Sequence, residues 1–410
     1  MRRVCVTGMG IAAPIGIGVG AVADALRKGR SGIREIDFGT GTPGRRVAGV
    51  VDIDFAAHLV PARIPGRDRV TLLALVAAQE AIRAAAVHGA ALDLSQAGVY
   101  FGTGIGGVGA IESAYEEFFV RGGARVKPLT VVQGMNNAAG ANVAIEYGCH
   151  GPSITYSTAC ASSALAIGEG YRAIRGGHAD VVIAGGSEAL LLPGMYRAWE
   201  ALRTLALPDA ANPAASCKPF AKNRTGLVLA EGAAVVILES EDRARHRGAE
   251  ILAMLSGYGS RTDATHLTKP DAAGQAAAMR DALREAALDP GAIGYINAHG
   301  TATIAGDVAE TQAIKAVFGE HAARIPVTSS KSMHGHAMGA TGAIEFVVAL
   351  LALRGGFIPP TLNLAEPDPE CDLDYVPDRS REGVTLRHVM SNSFAFGGSN
   401  AVLIASRPPA

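Results

Sequence analysis

The chain has 410 residues, 49% of them hydrophobic and 18% charged, which suits a large enzyme whose core fills two or three domain-sized units. A formal net charge of −1 supplies no global field for nucleic acid or a membrane surface, so neither is expected as a partner. The five cysteines are scattered without a CxxC pair, which points away from zinc and disulfides and toward a reducing, cytoplasmic setting.

Residues 4–7 read as a first buried strand, and Gly8 arrives too soon for a signal peptide. A short helix follows over 19–28, then a Gly/Pro-punctuated surface excursion over 37–66. An Ala/Leu-rich helix spans 69–87, and a strand over 98–101 runs into the glycine loop Gly102 to Gly107. Helices are expected over 111–119 and 138–147, with irregular chain over 120–137. A strand over 153–157 enters Thr158-Ala-Cys160-Ala-Ser162, and a helix then runs to Gly176 and Gly177, a sound stop signal. Strands follow over 180–184 and 232–239, separated by a middle section, 189–231, with two turn-rich stretches. Beyond it come a strand over 251–258, a helix over 274–287, a strand over 293–297, a helix over 307–318 and a strand over 325–329. The most apolar helical run, 343–353, is too short for a bilayer and reads as a buried core helix. Strands over 389–392 and 401–405 close the chain. Strands alternating with helices predict an α/β fold with sheets covered on both faces. The runs 166–177 and 343–356 are both alanine-rich helices ending in Arg-Gly-Gly, a hint of two related halves, 1–250 and 251–410.

Cys160 falls near a helix N-terminus, where unpaired N–H groups and the helix dipole favour a thiolate and lower the thiol's pKa. The plain alternative is a buried cysteine acting as a small hydrophobe. Three more loops follow predicted strands, where ligands bind in α/β sheets. Asn297-Ala-His299-Gly-Thr301-Ala-Thr303 places a histidine and two hydroxyls beside glycine. Lys331, His334 and His336 lie within six residues, and Phe394-Ala-Phe396-Gly-Gly398 offers backbone N–H groups suited to an oxyanion. Each loop alone has a structural reading, such as a hydrogen-bonding histidine or an ordinary pair of Lys331 with Asp307 or Glu310. The set supplies a nucleophile, two separate imidazoles and glycine-rich backbone. Gly102 to Gly107 also fits GxGxxG and Gly8 to Ala13 its GxGxxA form, which keeps a nicotinamide-dependent oxidoreductase as a distant alternative.

These four loops, in order and spacing, resemble the signatures of β-ketoacyl-acyl-carrier-protein synthases of the elongating type II group, fatty acid or type II polyketide. The resemblance runs from Val6 to Asn400. It implies the thiolase fold, two pseudo-duplicated halves in five layers α-β-α-β-α, and an acyltransferase acting on carrier-bound thioesters. Cys160 would carry the acyl group, and His299 and His336 would stabilise the enolate left when malonyl-carrier protein loses carbon dioxide. The N–H groups of Cys160 and Phe396 would hold the second oxyanion, and Phe396 would also gate the acyl pocket. Lys331 would tune the histidines, paired with Glu310, with Asp307 and Glu345 as supporting acids. Thr301, Thr303 and Thr268 would bind the phosphopantetheine arm, with Ile105 and Phe394 lining the pocket. His334 replaces what is often threonine, so it is expected to be structural.

The resemblance implies no cofactor beyond the carrier's phosphopantetheine. Asn297, Glu345 and Asn392 match positions where some members hold a structural monovalent cation, and no catalytic metal is expected. Acyl carrier protein is the implied partner, with Arg63, Arg67 and Arg69 as a basic patch and Arg121, Arg125 and Lys127 as a further group. A homodimer is implied, or a heterodimer with a ketosynthase-like subunit. The polar stretch Met135-Asn136-Asn137 and the bulky Tyr156 depart from the family pattern near the acyl pocket, and suggest an unsaturated or polyketide-like chain.

Overall fold

The computed structural model describes residues 1–39 and 44–409, so residues 40–43 of the excursion expected over 37–66 lie outside the described residues. The strands are continuous apolar runs because both of their faces are covered. Val181 and Ile183 pack into one cluster with Val235, Ile237, Val99 and Phe101. The alternate residues Val182 and Ala184 pack into another with Val236, Leu238 and Tyr100. With a side-chain period of two, a run without polar positions must serve two cores at once.

Along the main path of the large sheet, the first five strands are β1 (Val4–Ala13), β2 (Gly98–Gly102), β3 (Ser153–Tyr156), β4 (Val181–Glu188) and β5 (Gly232–Ser240). The second five are β6 (Ala253–Thr262), β7 (Tyr295–Asn297), β8 (Val327–Thr328), β9 (His388–Phe394) and β10 (Ser399–Ser406). The first set is ordered β3-β2-β4-β5-β1 and the second β8-β7-β9-β10-β6. Directions repeat as well: β2 lies parallel to β3 and β4, as β7 does to β8 and β9. The pairs β4–β5 and β9–β10 are antiparallel, as are β1–β5 and β6–β10. The two sets join where Val4 to Val6 pair antiparallel with Leu255 to Ala253.

The helices complete the layers. Helices α1 (Arg69–Ala86) and α2 (Ala138–Tyr147) cover the outer face of the first set. Between the sets lie α3 (Ser162–Arg175) and α7 (Thr341–Gly355), the two helices whose sequences hinted at duplication. They reach across to both sheets. Gly168 of α3 lies so close to β6 that a Cβ there would fall 2.3 Å from the Tyr258 ring. Helices α5 (Ala272–Ala286) and α6 (Ile304–Phe318) cover the outer face of the second set. The result is α-β-α-β-α. Helix α7 is the most apolar in the chain because it is buried on all sides, with 89% of Met338–Gly355 inside the protein.

The middle section also contains, ahead of its two turn-rich stretches, the helix α4 (Pro193–Leu202), which starts at a proline in its first turn. Two expectations need correction. The irregular 120–137 contains a short helical turn, Thr130–Gly134. The surface excursion expected over 37–66 contains a buried strand, Arg46–Gly49, paired antiparallel with Ile33–Ile36. At element ends, β1 runs six residues past the expected 4–7, through Ala13.

Candidate active site

Four loops leave the carboxyl ends of β3, β7, β8 and β9 and converge. The chain turns sharply before Cys160, with Ala159 in the left-handed region at φ 47°, and a single turn Ala159–Ala161 feeds α3. An alanine held at positive φ is strained, and such strain persists where surrounding structure fixes a reacting group. His299 follows β7, and His336 follows the turn Lys331–His334 after β8. The His336 backbone is clamped: its N–H donates to Val228 O at 2.7 Å, and its carbonyl accepts from Ala230 N at 2.9 Å.

The side chains meet at short range. His336 Nε2 lies 3.1 Å from Cys160 Sγ, and its Nδ1 lies 2.9 Å from Thr341 Oγ1. One atom each of Cys160, His299 and His336 lies within 4.8 Å of the others. The imidazole rings are edge to face, 5.3 Å apart at 84°. Lys331 Nζ sits 3.4 Å from His299 Nδ1 and also donates to the His299 carbonyl. An ammonium only donates, so Nδ1 accepts and the His299 proton is assigned to Nε2. Burial, reinforced by the Lys331 charge, holds His299 and His336 well below the ordinary imidazole range, so both are neutral donors.

Lys331 does not pair with Glu310. Its ammonium meets Glu345 Oε1 at 2.5 Å, both side chains fully buried. Burial pushes the Glu345 carboxyl up to about 8, with Lys331 pulling the other way. Glu310 instead accepts the N–H groups of His299 and Gly300 at 2.8 and 2.7 Å and the Asn392 amide at 3.0 Å, so it shapes the His299 loop. Asp307 accepts from Phe220 N at 2.7 Å and Ala302 N at 3.1 Å beside Arg224, and burial pushes it up to about 7. The thiol is corrected too. Burial pushes Cys160 up to about 12, against the pull of Lys331 and of the Phe396 and Cys160 N–H groups. The helix start is present, but desolvation outweighs it.

A cavity of about 200 Å³ opens onto Cys160, His299 and His336. Thr268, Thr301, Thr303, Phe394 and Phe396 all border it. The Thr301 and Thr303 hydroxyls are 2.9 Å apart, and the Phe394 ring is 6.1 Å from His299. Ile105 is not part of this lining; its side chain is 37% exposed and its N–H meets Glu188. His334 is buried with Nε2 2.9 Å from Ser330 Oγ, and it makes no contact with Cys160 among the described residues.

Sequence reasoning passed over Glu188. This buried carboxylate accepts from Gly104 N at 2.6 Å, Gly339 N at 3.0 Å and Ile105 N at 3.3 Å, with Thr103 Oγ1 at 3.2 Å. It ties the loop after β2 to the turn before α7. An internal carboxyl group therefore occupies backbone donors of the Gly102 to Gly107 loop, which leaves no phosphate cradle for a dinucleotide. Its only sequence signal was a lone acid closing an apolar strand.

The cation positions can be tested by their oxygens. Glu345 Oε2 and Asn392 Oδ1 are buried without hydrogen-bond partners among the described residues, and hard oxygens of this kind suit a monovalent cation. Asn297 Oδ1 is engaged by Tyr295 Oη at 3.2 Å.

Of the basic patch, Arg63 pairs with Glu146, and Arg67 Nε donates to Asn142 at 2.8 Å. Arg69 is committed to Glu231 at 2.6 Å and to Val51 O at 2.7 Å, so it is an internal brace rather than a free cation. Arg67 and Arg69 nevertheless share a cleft with Arg121, Arg125 and Lys127.

The profile of the beta-ketoacyl synthase N-terminal domain matches residues 1–244, and that of the C-terminal domain matches residues 252–365. The chain belongs to the β-ketoacyl synthase family. It is 41% identical over 406 residues to nodulation protein E of Rhizobium meliloti strain 1021, covering 98% of each chain. It is 39% identical over 410 residues to 3-oxoacyl-[acyl-carrier-protein] synthase 2 of Coxiella burnetii, covering 99% of each. Among solved structures, the ishigamide ketosynthase/chain length factor superposes with a TM-score of 0.91 at 35% identity, covering 100% of both chains. The thiolase fold of the ketosynthases is thus the fold of this chain, and family membership removes the oxidoreductase alternative.

Proposed function

We propose that this β-ketoacyl synthase elongates an acyl chain held on Cys160 by decarboxylative condensation with malonyl-acyl-carrier protein. The observation that carries this is the convergence of one thiol and two neutral imidazoles within 4.8 Å at the end of a cavity. In the first half-reaction the Cys160 sulfur attacks the carrier thioester. The acyl–sulfur bond moves to Cys160, and the carrier leaves as a thiol that takes the proton Cys160 gives up. Because the thiol is pushed up to about 12, this transfer accompanies attack rather than preceding it. In the second half-reaction the malonyl thioester oxygen sits between His299 and His336. Carbon dioxide leaves, and the enolate charge is met by neutral N–H donors that need no reorganisation. The enolate carbon attacks the acyl carbonyl, whose oxyanion takes the Cys160 and Phe396 N–H groups. The carbon–sulfur bond then breaks, releasing a β-ketoacyl-carrier protein two carbons longer and a Cys160 thiolate, which takes up one proton from water to restore the thiol.

Thr268, Thr301 and Thr303 would bind the phosphopantetheine arm along the cavity. Arg125 and Lys127, exposed and without ion pairs among the described residues, would meet the acidic carrier. Glu345 Oε2 and Asn392 Oδ1 would hold a structural monovalent cation. The edge strand β3 and the exposed Phe118, Phe119, Val131, Val132 and Ile154 favour a second ketosynthase-fold subunit on that face, identical or not.

The test is intact mass after incubation with a panel of acyl-carrier proteins, followed by malonyl-carrier protein. An acyl mass on the wild type, absent from Cys160→Ala and discharged as a product two carbons longer, is expected. Failure to load from any carrier would refute catalysis by this chain alone.

A further inference from the structure

Cys160 belongs to two surroundings. One is the cavity, bordered on its polar side by Thr268, Thr301 and Thr303. The other is a closed apolar cluster of Leu190, Tyr196, Leu227, Leu229 and Met338, with Trp199 packed against it. The cavity must hold the arm that delivers the acyl group, so the hydrocarbon chain has to enter the apolar cluster. Where the two surroundings meet, Phe396 of the cavity wall stacks on Trp199 of α4, ring centres 6.3 Å apart and planes 21° apart. Phe396 stands before two glycines in left-handed conformation, Gly397 at φ 83° and Gly398 at φ 75°. A Cβ on Gly397 would meet nothing, whereas one on Gly398 would lie 2.8 Å from Asp263 Cβ, so the segment is open at Gly397, next to Phe396, and anchored at Gly398.

We infer that Trp199 is the latch on the acyl site: its stack with Phe396 keeps the apolar cluster shut, and a chain loaded on Cys160 enters by parting the two rings. The inference rests on Cys160 being the acylated residue. Trp199 is a positioning residue, since it acts through Phe396. It also sets chain preference. A two-carbon acyl group fits without opening the stack, whereas a longer one must displace it. Offset stacking of this kind makes opening slower by about two- to tenfold, so its loss should speed long-chain loading by that factor.

Trp199 is the chain's single tryptophan, so its emission reports the latch directly. Wild-type protein is mixed with octanoyl-carrier protein while mass and tryptophan emission are followed together, with Cys160→Ala and acetyl-carrier protein as controls. The emission should change with the time course of octanoyl-Cys160 formation, and stay constant in both controls. Trp199→Ala should speed octanoyl loading about two- to tenfold relative to acetyl loading, with Trp199→Phe restoring the wild-type ratio. Octanoyl-Cys160 forming with unchanged emission overturns the latch while leaving acylation intact. So does a Trp199→Ala variant whose two loading rates change equally. Absence of any acyl mass overturns the acylation reading and the latch with it.

Discussion

Lys331→Met separates the electrostatics of the site from its stability. Removing a buried charge from a pair usually leaves the other uncompensated, at about 3–5 kcal/mol. Here the remaining group is Glu345, whose carboxyl burial already pushes up to about 8 with the ammonium in place. Without Lys331, which pulls that value down, it keeps its proton at neutral pH, so no buried charge is stranded. What remains is the His299 carbonyl, which loses its Lys331 donor. One unsatisfied buried acceptor costs about 1–3 kcal/mol, and methionine fills much of the lysine's volume. The variant should therefore fold, with a urea unfolding free energy lowered by about that amount. Its chemistry should suffer more. His299 Nδ1 loses the donor at 3.4 Å that fixes its tautomer, so Nε2 no longer presents a dependable N–H to the enolate. Loss of one such donor costs about 10²–10³ in rate. The assay is single-turnover decarboxylation of malonyl-carrier protein on pre-acylated enzyme, with stability measured in parallel. Decarboxylation within threefold of wild type would refute the proposed role of Lys331, and destabilisation above about 5 kcal/mol would refute the protonation of Glu345.

Three further outcomes are expected. Glu188→Ala should lower unfolding free energy by about 3 kcal/mol or more, because Gly104, Ile105 and Gly339 lose a shared buried acceptor; a urea midpoint equal to wild type would contradict that. Stability should depend on pH in two regimes. His299, His334 and His336 have folded pKa values below the unfolded value, so each withdraws stability as pH falls below about 6.5, by about 1.4 kcal/mol per pH unit. Glu188, Asp307 and Glu345, raised to about 7, 7 and 8, hold protons only in the folded state above pH ~4.5 and offset this down to that point. Urea titrations should show a shallow slope between about pH 4.5 and 6.5 and a steep fall below, and a uniform slope would contradict the buried neutral histidines. Charge reversal at Arg125 and Lys127 together should raise KM for the carrier protein about three- to tenfold, an effect that shrinks with added salt; salt-independent loss would place the carrier elsewhere.

Much of the molecule was legible because its signals are local. Val19–Lys28 and Ala138–Tyr147 end where sequence reading placed them, since Gly29 and Gly148 supply left-handed caps after each. The four site loops were legible because each joins a glycine or histidine motif to a preceding apolar strand. Helix α4 was not assigned although its sequence is amphipathic, because it opens on a proline and leads into turn-rich chain. Pairings over long sequence distance were not legible either. Lys331 has acids available at 307, 310 and 345, and only the approach of α7 beneath the His299 loop selects Glu345.

By itself, the sequence determined which chemistry is present: one thiol on a strand-to-helix turn, two imidazoles on separate loops and glycine-rich backbone, in an order that marks the family. Tertiary structure alone decided how that chemistry is tuned. Burial reverses the ionisation expected of Cys160, since removing water from a thiolate costs more than a helix start and one buried ammonium return. It also decided which carboxylates brace loops, as Glu188 and Glu310 do, and which one meets the lysine. Such effects depend on distance and dielectric between residues far apart in the chain, and neither quantity exists until both halves have folded together.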